Sequence, residues 1–460
     1  MSRMAQGRRI ALPEVVRLSA LLACAVFLIG FGSAPSTGAN VDAAQDLSDR
    51  AIAQRILDDQ DLRDVLTRAK SVLGTGFNAG NGYAQVWIRD LNTFIELSCE
   101  VNDPAVVKEN LLRLLTFQGE DGNIPDGFQK NNDVYTAYKN TVETDQESSL
   151  VQATYKYIRK TGDASVLSVT VNGVTVRERL GLALEFLKKN RFSEQYGLLW
   201  GATTVDWGDV QPEDDPGVLL DGNTHKAIDI YDNSMFLIAV SDYLSFIKND
   251  RRQVARWRKL YATVQKNCRT YLWDRKASKF IPHIYLDGSP FPAGFDENAI
   301  HYHGGTTLAI EAGLLSKKEI VASLSHMIEN VQSCGAASIG LTVYPPYPRG
   351  FFRNPIMSPY SYQNGGDWTW FGGRTIQELI KHDLIGEAYH EIKPMVERVQ
   401  RDNGFYEWYT TDNRPMGSGT YRGAAGVLGR AIEMLLSWAG KHAHAPPALE
   451  TRGKLAVLKH

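Results

Sequence analysis

The sequence predicts an all-α protein, a toroid of six helical hairpins with short β-hairpins in its loops. Three observations carry this. Apolar residues recur at helical spacing in twelve segments, long loops rich in glycine, proline and aromatics follow roughly every second segment, and no doubly wound strand-helix alternation occurs.

The helical segments lie near 47–73, 89–101, 104–117, 146–161, 176–190, 230–248, 251–273, 299–315, 317–333, 367–382, 384–401 and 423–440. The first shows the pattern plainly, with Ala51, Ile52, Ile56, Leu57, Leu62, Val65 and Leu66 spaced to share one face. Between them fall the stretches 74–86, 118–140, 193–222, 274–298, 334–366 and 402–422. Their recurrence after helix pairs puts the long loops on one side of the molecule. An open solenoid of stacked pairs would show self-similarity at a fixed period, and none is present. Loops longer than about 12–15 residues are usually kept for function. The run Phe280–Gly288 alternates as a β-hairpin decorating that loop face.

The chain ends bound the domain. Arg3, Arg8, Arg9 and Arg17 precede the apolar run Leu18–Phe31, which gives way to Gly32, Ser33 and Ala34. That is a signal-peptide pattern, and the run falls short of the ~20 residues a bilayer-spanning helix needs. Export to the periplasm or beyond follows, with residues 1–40 as signal and linker, 41–445 as the helical-toroid domain and 446–460 as a tail, acting as a monomer. Once Cys24 leaves with the signal, Cys99, Cys268 and Cys334 remain, too few and too scattered for a disulfide framework or a zinc site. No metal or cofactor is expected. With 50 Lys+Arg against 52 Asp+Glu, the chain offers no net charge for nucleic acid or an anionic membrane.

Five stretches concentrate chemistry. Trp87-Ile88-Arg89-Asp90 places an indole, a guanidinium and a carboxylate within one turn, a set able to hold a sugar ring or, more simply, a capped helix start. Asp145 and Gln146 open the next such helix, where Asp145 can equally be an N-cap. The loop Leu199–Asp215 sets Asp206, Asp209, Glu213, Asp214 and Asp215 beside Trp200 and Trp207. Carboxyls this close raise one another's pKa, as a general acid needs, although oxygen-rich loops also bind calcium. Gln363 and Asn364 precede two glycines, Trp368 and Trp370, and Glu407 stands among Phe405, Tyr406, Trp408 and Tyr409. Amides, close backbone approach and indoles together suit a carbohydrate.

On these motifs the chain resembles the inverting six-hairpin glycosidases, which include glucoamylase, processing α-glucosidase, trehalase, alkaline invertase and the glucosidase part of debranching enzymes. Trp87-Ile88-Arg89-Asp90 is similar to that group's Trp-x-Arg-Asp element. Asp145-Gln146 with Thr161-Gly162-Asp163 is similar to its Asp-Gln helix, and Tyr362-Gln363-Asn364-Gly365 to its Tyr-x-Asn-Gly loop. The resemblance implies a glycoside hydrolase cleaving an α-glucosidic bond by single displacement. Asp206 becomes the candidate acid, with Asp209 the alternative, and Glu407 the candidate base. Trp87, Arg89, Asp90, Asp145, Gln146, Trp207, Gln363, Asn364, Trp368, Trp370 and Trp408 then line the substrate site. An inverting pair requires carboxyls ~6.5–9.5 Å apart. The alternatives are a phosphorylase, a lyase using His301, Tyr302 and His303, and an exported glycan-binding protein without turnover.

Overall fold

The structure, a computed structural model, describes residues 49–443. The expected signal segment and the 446–460 tail lie outside the described residues.

The chain is built of helices in pairs. They are α1 (49–58), α2 (Gln60–Leu73), α3 (Ile88–Val101), α4 (Pro104–Thr116), α5 (Gln146–Thr161), α6 (Val176–Asn190), α7 (Ile230–Phe246), α8 (Arg251–Asn267), α9 (His303–Glu311), α10 (Lys317–Cys334), α11 (Thr369–Lys381), α12 (Ile385–Asp402) and α13 (Arg422–Ala443). Six of them pack each against the next in a cycle, α3 on α5, α5 on α7, α7 on α9, α9 on α11, α11 on α13, and α13 back on α3. The alternate helices, α2, α4, α6, α8, α10 and α12, pack against members of that cycle.

Sequence pattern explains the division. On α2 only Leu62, Val65, Ala69 and Leu73 are buried, one stripe at helical period. On α7 every residue from Ile230 to Leu237 is buried, and on α9 every residue from His303 to Ile310. A helix covered on all sides has no polar face, so periodicity marks it poorly; α7 still has the Asp229 cap, but α9 has no side-chain cap. The capping boxes Thr175/Glu178 and Ser316/Glu319 fix the starts of α6 and α10.

Several boundaries differ from the sequence reading. The segment 47–73 is broken at Asp59, whose carboxylate is held by Lys393 Nζ at 2.6 Å and Tyr389 Oη at 2.8 Å. The segment 251–273 ends as an α-helix at Asn267 and passes into a π-turn over Cys268–Leu272. Helix α9 begins only at His303, because His301 and Tyr302 pair with Tyr344 and Val343. The run 280–288 does not fold back on itself. Phe280 pairs with Trp273, while Ile284 and Tyr285 pair with Ile228 and Ala227. Pro282 between them has no N–H to give to a ladder. An unforeseen hairpin occupies 118–140. Strands β1 (Val86–Trp87), β2 (Gly127–Asn131) and β3 (Val134–Tyr138) form an antiparallel sheet, with Val86 opposite Phe128 and Trp87 opposite Gly127.

The sheets and long loops gather where α3, α5, α11 and α13 begin. There a cavity of about 350 Å³ opens, lined by residues before or at those helix starts and by Trp207, Asp209 and Val218 of the loop ahead of α7. Among the described residues no helix is long and apolar enough to cross a membrane.

Candidate active site

Indoles and phenols make the cavity's apolar walls, namely Trp87, Trp207, Trp368, Trp370, Tyr83, Tyr138, Tyr362 and Tyr421. Trp207 stands at the centre of the indole set, with its ring 4.9 Å from Trp368, 5.0 Å from Trp370 and 4.8 Å from Phe371. Five carboxylates share the space, Asp90, Asp126, Glu143, Asp209 and Glu407, facing two cations, Arg89 and Lys139.

Arg89 is fully engaged. Its Nε and Nη2 donate to the two oxygens of Asp145 at 2.8 and 3.3 Å, its Nη2 pairs with Glu143 at 3.0 Å, and its Nη1 donates to the Trp207 carbonyl at 3.2 Å. Burial weighs against its charge, but Asp145 and Glu143 hold its pKa above the ordinary value. Tyr231 Oη also donates to Asp145, at 2.6 Å. Gln146 Nε2 donates to Asp126 and Glu143, both at 2.8 Å, and Asp126 accepts the Asn140 amide at 2.7 Å. Lys139 Nζ donates to the Ile124 carbonyl at 2.6 Å and to Glu147 at 3.3 Å.

Glu407 enters from the loop before α13. Its Oε1 accepts from Tyr83 Oη at 2.8 Å and its Oε2 from the Ser418 amide at 3.3 Å. Burial raises its pKa, the two donors draw it down, and the Asp209 charge adds to the rise. Gly417 makes room for this side chain. A Cβ there would stand 2.4 Å from Glu407 Oε2, and its φ of +69° is left-handed. Asp90 is pushed up to about 7 by burial, against the pull of the Tyr421 hydrogen bond and Arg89.

Asp209 and Asp206 part company. Asp209 lines the cavity, anchored through its main chain by Gln363 Oε1 accepting its N–H at 3.2 Å and Asn140 Nδ2 donating to its carbonyl at 3.3 Å. Its Oδ1 has no hydrogen-bond partner. Asp206, the first candidate for the acid, is 1% exposed and does not line the cavity. Its Oδ1 accepts the Gly305 amide at 2.8 Å, and burial pushes the carboxyl up to about 8 while the Gly305 and Gly304 amides draw it down. The sequence reading put Asp206 ahead of Asp209, and the structure places only Asp209 on the cavity wall. The residue's φ of +53° turns its side chain to α9 and leaves Asp209, three positions on, facing the space.

Of the other expected residues, Trp87, Arg89, Asp90, Gln146, Trp207, Gln363, Trp368 and Trp370 line the cavity. Asp145, Asn364 and Trp408 do not. Asp145 lies behind Arg89, and Asn364 is buried in its own loop, accepting the Tyr347 amide at 2.7 Å and donating to the Tyr347 and Met357 carbonyls. Trp408 packs on Tyr362 instead. Sequence reasoning missed Tyr83, Asp126, Tyr138, Lys139, Asn140, Glu143 and Tyr421. Ile124-Pro125-Asp126-Gly127 carried a turn signature that could have flagged Asp126. Tyr83 carried no signal of its own.

Of the other acids of the 199–215 loop, Glu213 pairs with His225 at 2.7 Å and Asp214 with Arg353 at 3.9 Å. Among the described residues no group of three or more His, Cys, Asp and Glu side chains is disposed to hold a metal ion. His303 is buried, bonded to Asn330 at 3.0 Å and pushed down to about 3 by burial, and the segment His301–His303 is not part of the cavity wall.

No curated protein matches the sequence. Solved structures similar to it include an uncharacterised conserved protein from Thermus thermophilus, 17% identical, with 80% of this chain and 99% of that one covered and a TM-score of 0.59. A GH63 mannosylglycerate hydrolase from the same organism, in complex with glucose, is 16% identical over 81% of this chain and 100% of its own, at a TM-score of 0.60. A rhamnosidase from Klebsiella oxytoca with rhamnose bound is 13% identical over 82% and 64%, at 0.55. These likenesses show a shared helical fold of the six-hairpin glycosidase type. Residues 52–361 match the family model described as the glycosyl hydrolase 94 superfamily, catalytic domain. With that match spanning most of the chain and the motifs gathered around one acid-rich, indole-walled cavity, the protein belongs to the glycosyl hydrolase 94 superfamily, among the six-hairpin glycosidases.

Proposed function

We propose that the protein is an inverting glycoside hydrolase whose paired helices form an (α/α)6 barrel, with Asp209 as general acid and Glu407 as general base. The observation that carries the reading is the convergence of both carboxylates on one cavity, where Asp209 Oδ1 is unpartnered and Glu407 is held by two donors. Asp209 gives its proton to the leaving glycosidic oxygen as the C–O bond breaks. Glu407, ionised, takes a proton from the water whose oxygen forms the new bond on the opposite ring face. Asp90, Gln146 and Gln363 offer hydrogen bonds to ring hydroxyls, and Trp87 and Trp370 offer flat faces for the ring.

Charge favours water as the acceptor over phosphate. Five carboxylates line the space, and both cations already hold anionic or carbonyl oxygens. A phosphate dianion or a uronate would meet repulsion without a free counter-charge. The reading extends to a neutral glycon, with α-linked glucose first, supported by the family resemblance and by the glucose complex of the GH63 relative. It also extends to a monomer exported by its N-terminal segment as a single catalytic domain over 41–445.

The test is proton NMR of freshly released sugar. The inverted anomer appearing first, without added phosphate, is the expected result, and Asp209→Asn and Glu407→Gln should each lower kcat by about 10²–10⁴-fold. Retention of configuration, or turnover only with phosphate, would overturn the mechanism.

A further inference from the structure

The buried Asp206 carboxylate remains without a role in that mechanism, as does the His301-Tyr302-His303-Gly304-Gly305 run at the start of α9. They meet each other. Asp206 Oδ1 accepts the Gly305 N–H at 2.8 Å, at the amino end of a nine-residue helix. A Cβ on Gly304 would fall 2.9 Å from Asp206 Oδ2 and 2.4 Å from Trp207 Cδ1, and one on Gly305 would fall 2.7 Å from Asp206 Oδ1. The two glycines therefore form a receptor shaped for the Asp206-Trp207 dipeptide. A second tie lies beside it. Tyr302 Oη donates to the Thr204 carbonyl at 3.3 Å, and Thr204 Oγ1 donates to the Asp206 carbonyl at 3.1 Å. With its proton on Thr204, Tyr302 Oη accepts in turn from Tyr347 Oη at 2.6 Å.

From this anchor the chain runs directly to the cavity. Trp207 lies on Trp368, Trp370 and Phe371 and gives its carbonyl to Arg89, the Gly208 amide closes a turn on the Val205 carbonyl at 2.9 Å, and Asp209 follows. We propose that Asp206 is a positioning residue: its carboxylate docks the loop on the glycine receptor of α9 and so sets where the Asp209 carboxyl stands. The proposal rests on the reading of Asp209 as the acid.

Two predictions separate positioning from chemistry and from bulk stability. Asp206→Asn keeps shape and one acceptor for the Gly305 amide, so kcat should fall by less than about tenfold, whereas Asp206→Ala removes the dock and should lower kcat by about 100-fold, the cost of an ångström-scale misplacement. A misplaced acid is felt only when the leaving group needs a proton. On an aryl glycoside with a strongly activated leaving group, Asp206→Ala should therefore stay within about threefold of the unaltered protein. The experiment measures kcat and KM for Asp206→Asn, Asp206→Ala, Gly305→Ala and Asp209→Asn on an unactivated disaccharide and on the activated glycoside, with circular dichroism to confirm folding. Gly305→Ala, which presses on Oδ1, should show the same dependence on leaving group as Asp206→Ala and stands in for it if that variant does not fold. Equal losses on both substrates, or no loss in Asp206→Ala, would overturn the positioning role. A loss in Asp206→Asn as deep as that in Asp209→Asn would do the same. Full activity of Asp209→Asn on the disaccharide would instead overturn the acid assignment beneath it.

Discussion

Removing the Tyr83 hydroxyl tests how Glu407, the proposed base, is kept ready. Its bond to Glu407 Oε1 is 2.8 Å long and acts against the burial that raises the Glu407 pKa. A hydrogen bond to a charged group contributes about 1.5–3 kcal/mol, and about 1.4 kcal/mol corresponds to one pH unit of titration. Because the Ser418 amide remains and water can enter the space left by the hydroxyl, the lower end of that range applies, and the titration of Glu407 should move by about one pH unit. The sign is fixed by the charge. Losing a donor to the ionised form leaves the proton more tightly held, so Tyr83→Phe moves the acid limb of the kcat/KM profile to higher pH. Below the limb, activity should fall by up to about tenfold, and above it the two proteins should agree within about twofold. The assay is kcat/KM against pH at fixed ionic strength on one neutral disaccharide. A limb that stays in place or moves to lower pH would refute the argument. So would a loss of activity that is the same at every pH, which would give the hydroxyl a part in the chemistry.

Two further outcomes follow from the same structure. Arg398→Leu should destabilise the fold by about 3–5 kcal/mol in denaturant titration, because it strands Asp367, fully buried and with its carboxylate otherwise held by Ser338; a change below about 1 kcal/mol would show that this pair matters little. Gly417→Ala adds a Cβ 2.4 Å from Glu407 Oε2 at a left-handed position, so it should cost about 1–2 kcal/mol in stability and lower kcat by about 10–100-fold, and a variant with unaltered kcat would count against the proposed role of Glu407.

The helices were legible because the outer ones must bury one stripe and expose the rest, as Leu62, Val65, Ala69 and Leu73 do on α2. Most inner helices were placed as closely as the outer ones, α5 over the same bounds, but α9 was drawn too long at both ends. The pairing of His301 with Tyr344 delays the start of α9, and no local residue announces it. At the site, Glu407 and the cluster Trp87, Arg89 and Asp90 could be picked out as polar groups among aromatics. Asp206 and Asp209 could not be told apart, because the choice depends on a positive φ at Asp206 and on two glycines about a hundred positions away. Tyr83 and Glu143 were invisible for a related reason. Their meaning lies in partners, Glu407 and Arg89, that only folding brings near.

The contact of α13 with α2 and α3 brings the two ends of the described chain together, and the site is built across that seam. Tyr83 and Glu407 are 324 positions apart, and Arg422, beside the last loop, bonds Asn78, 344 positions away. Closing so long a loop is slow and comes late, after local hairpins have formed. A chain emerging from synthesis therefore carries its proposed acid long before its proposed base. Until the final helix docks, the Tyr421 wall of the cavity and the group proposed to activate water are not in place. Catalytic competence is in this sense a report that the last hairpin has closed.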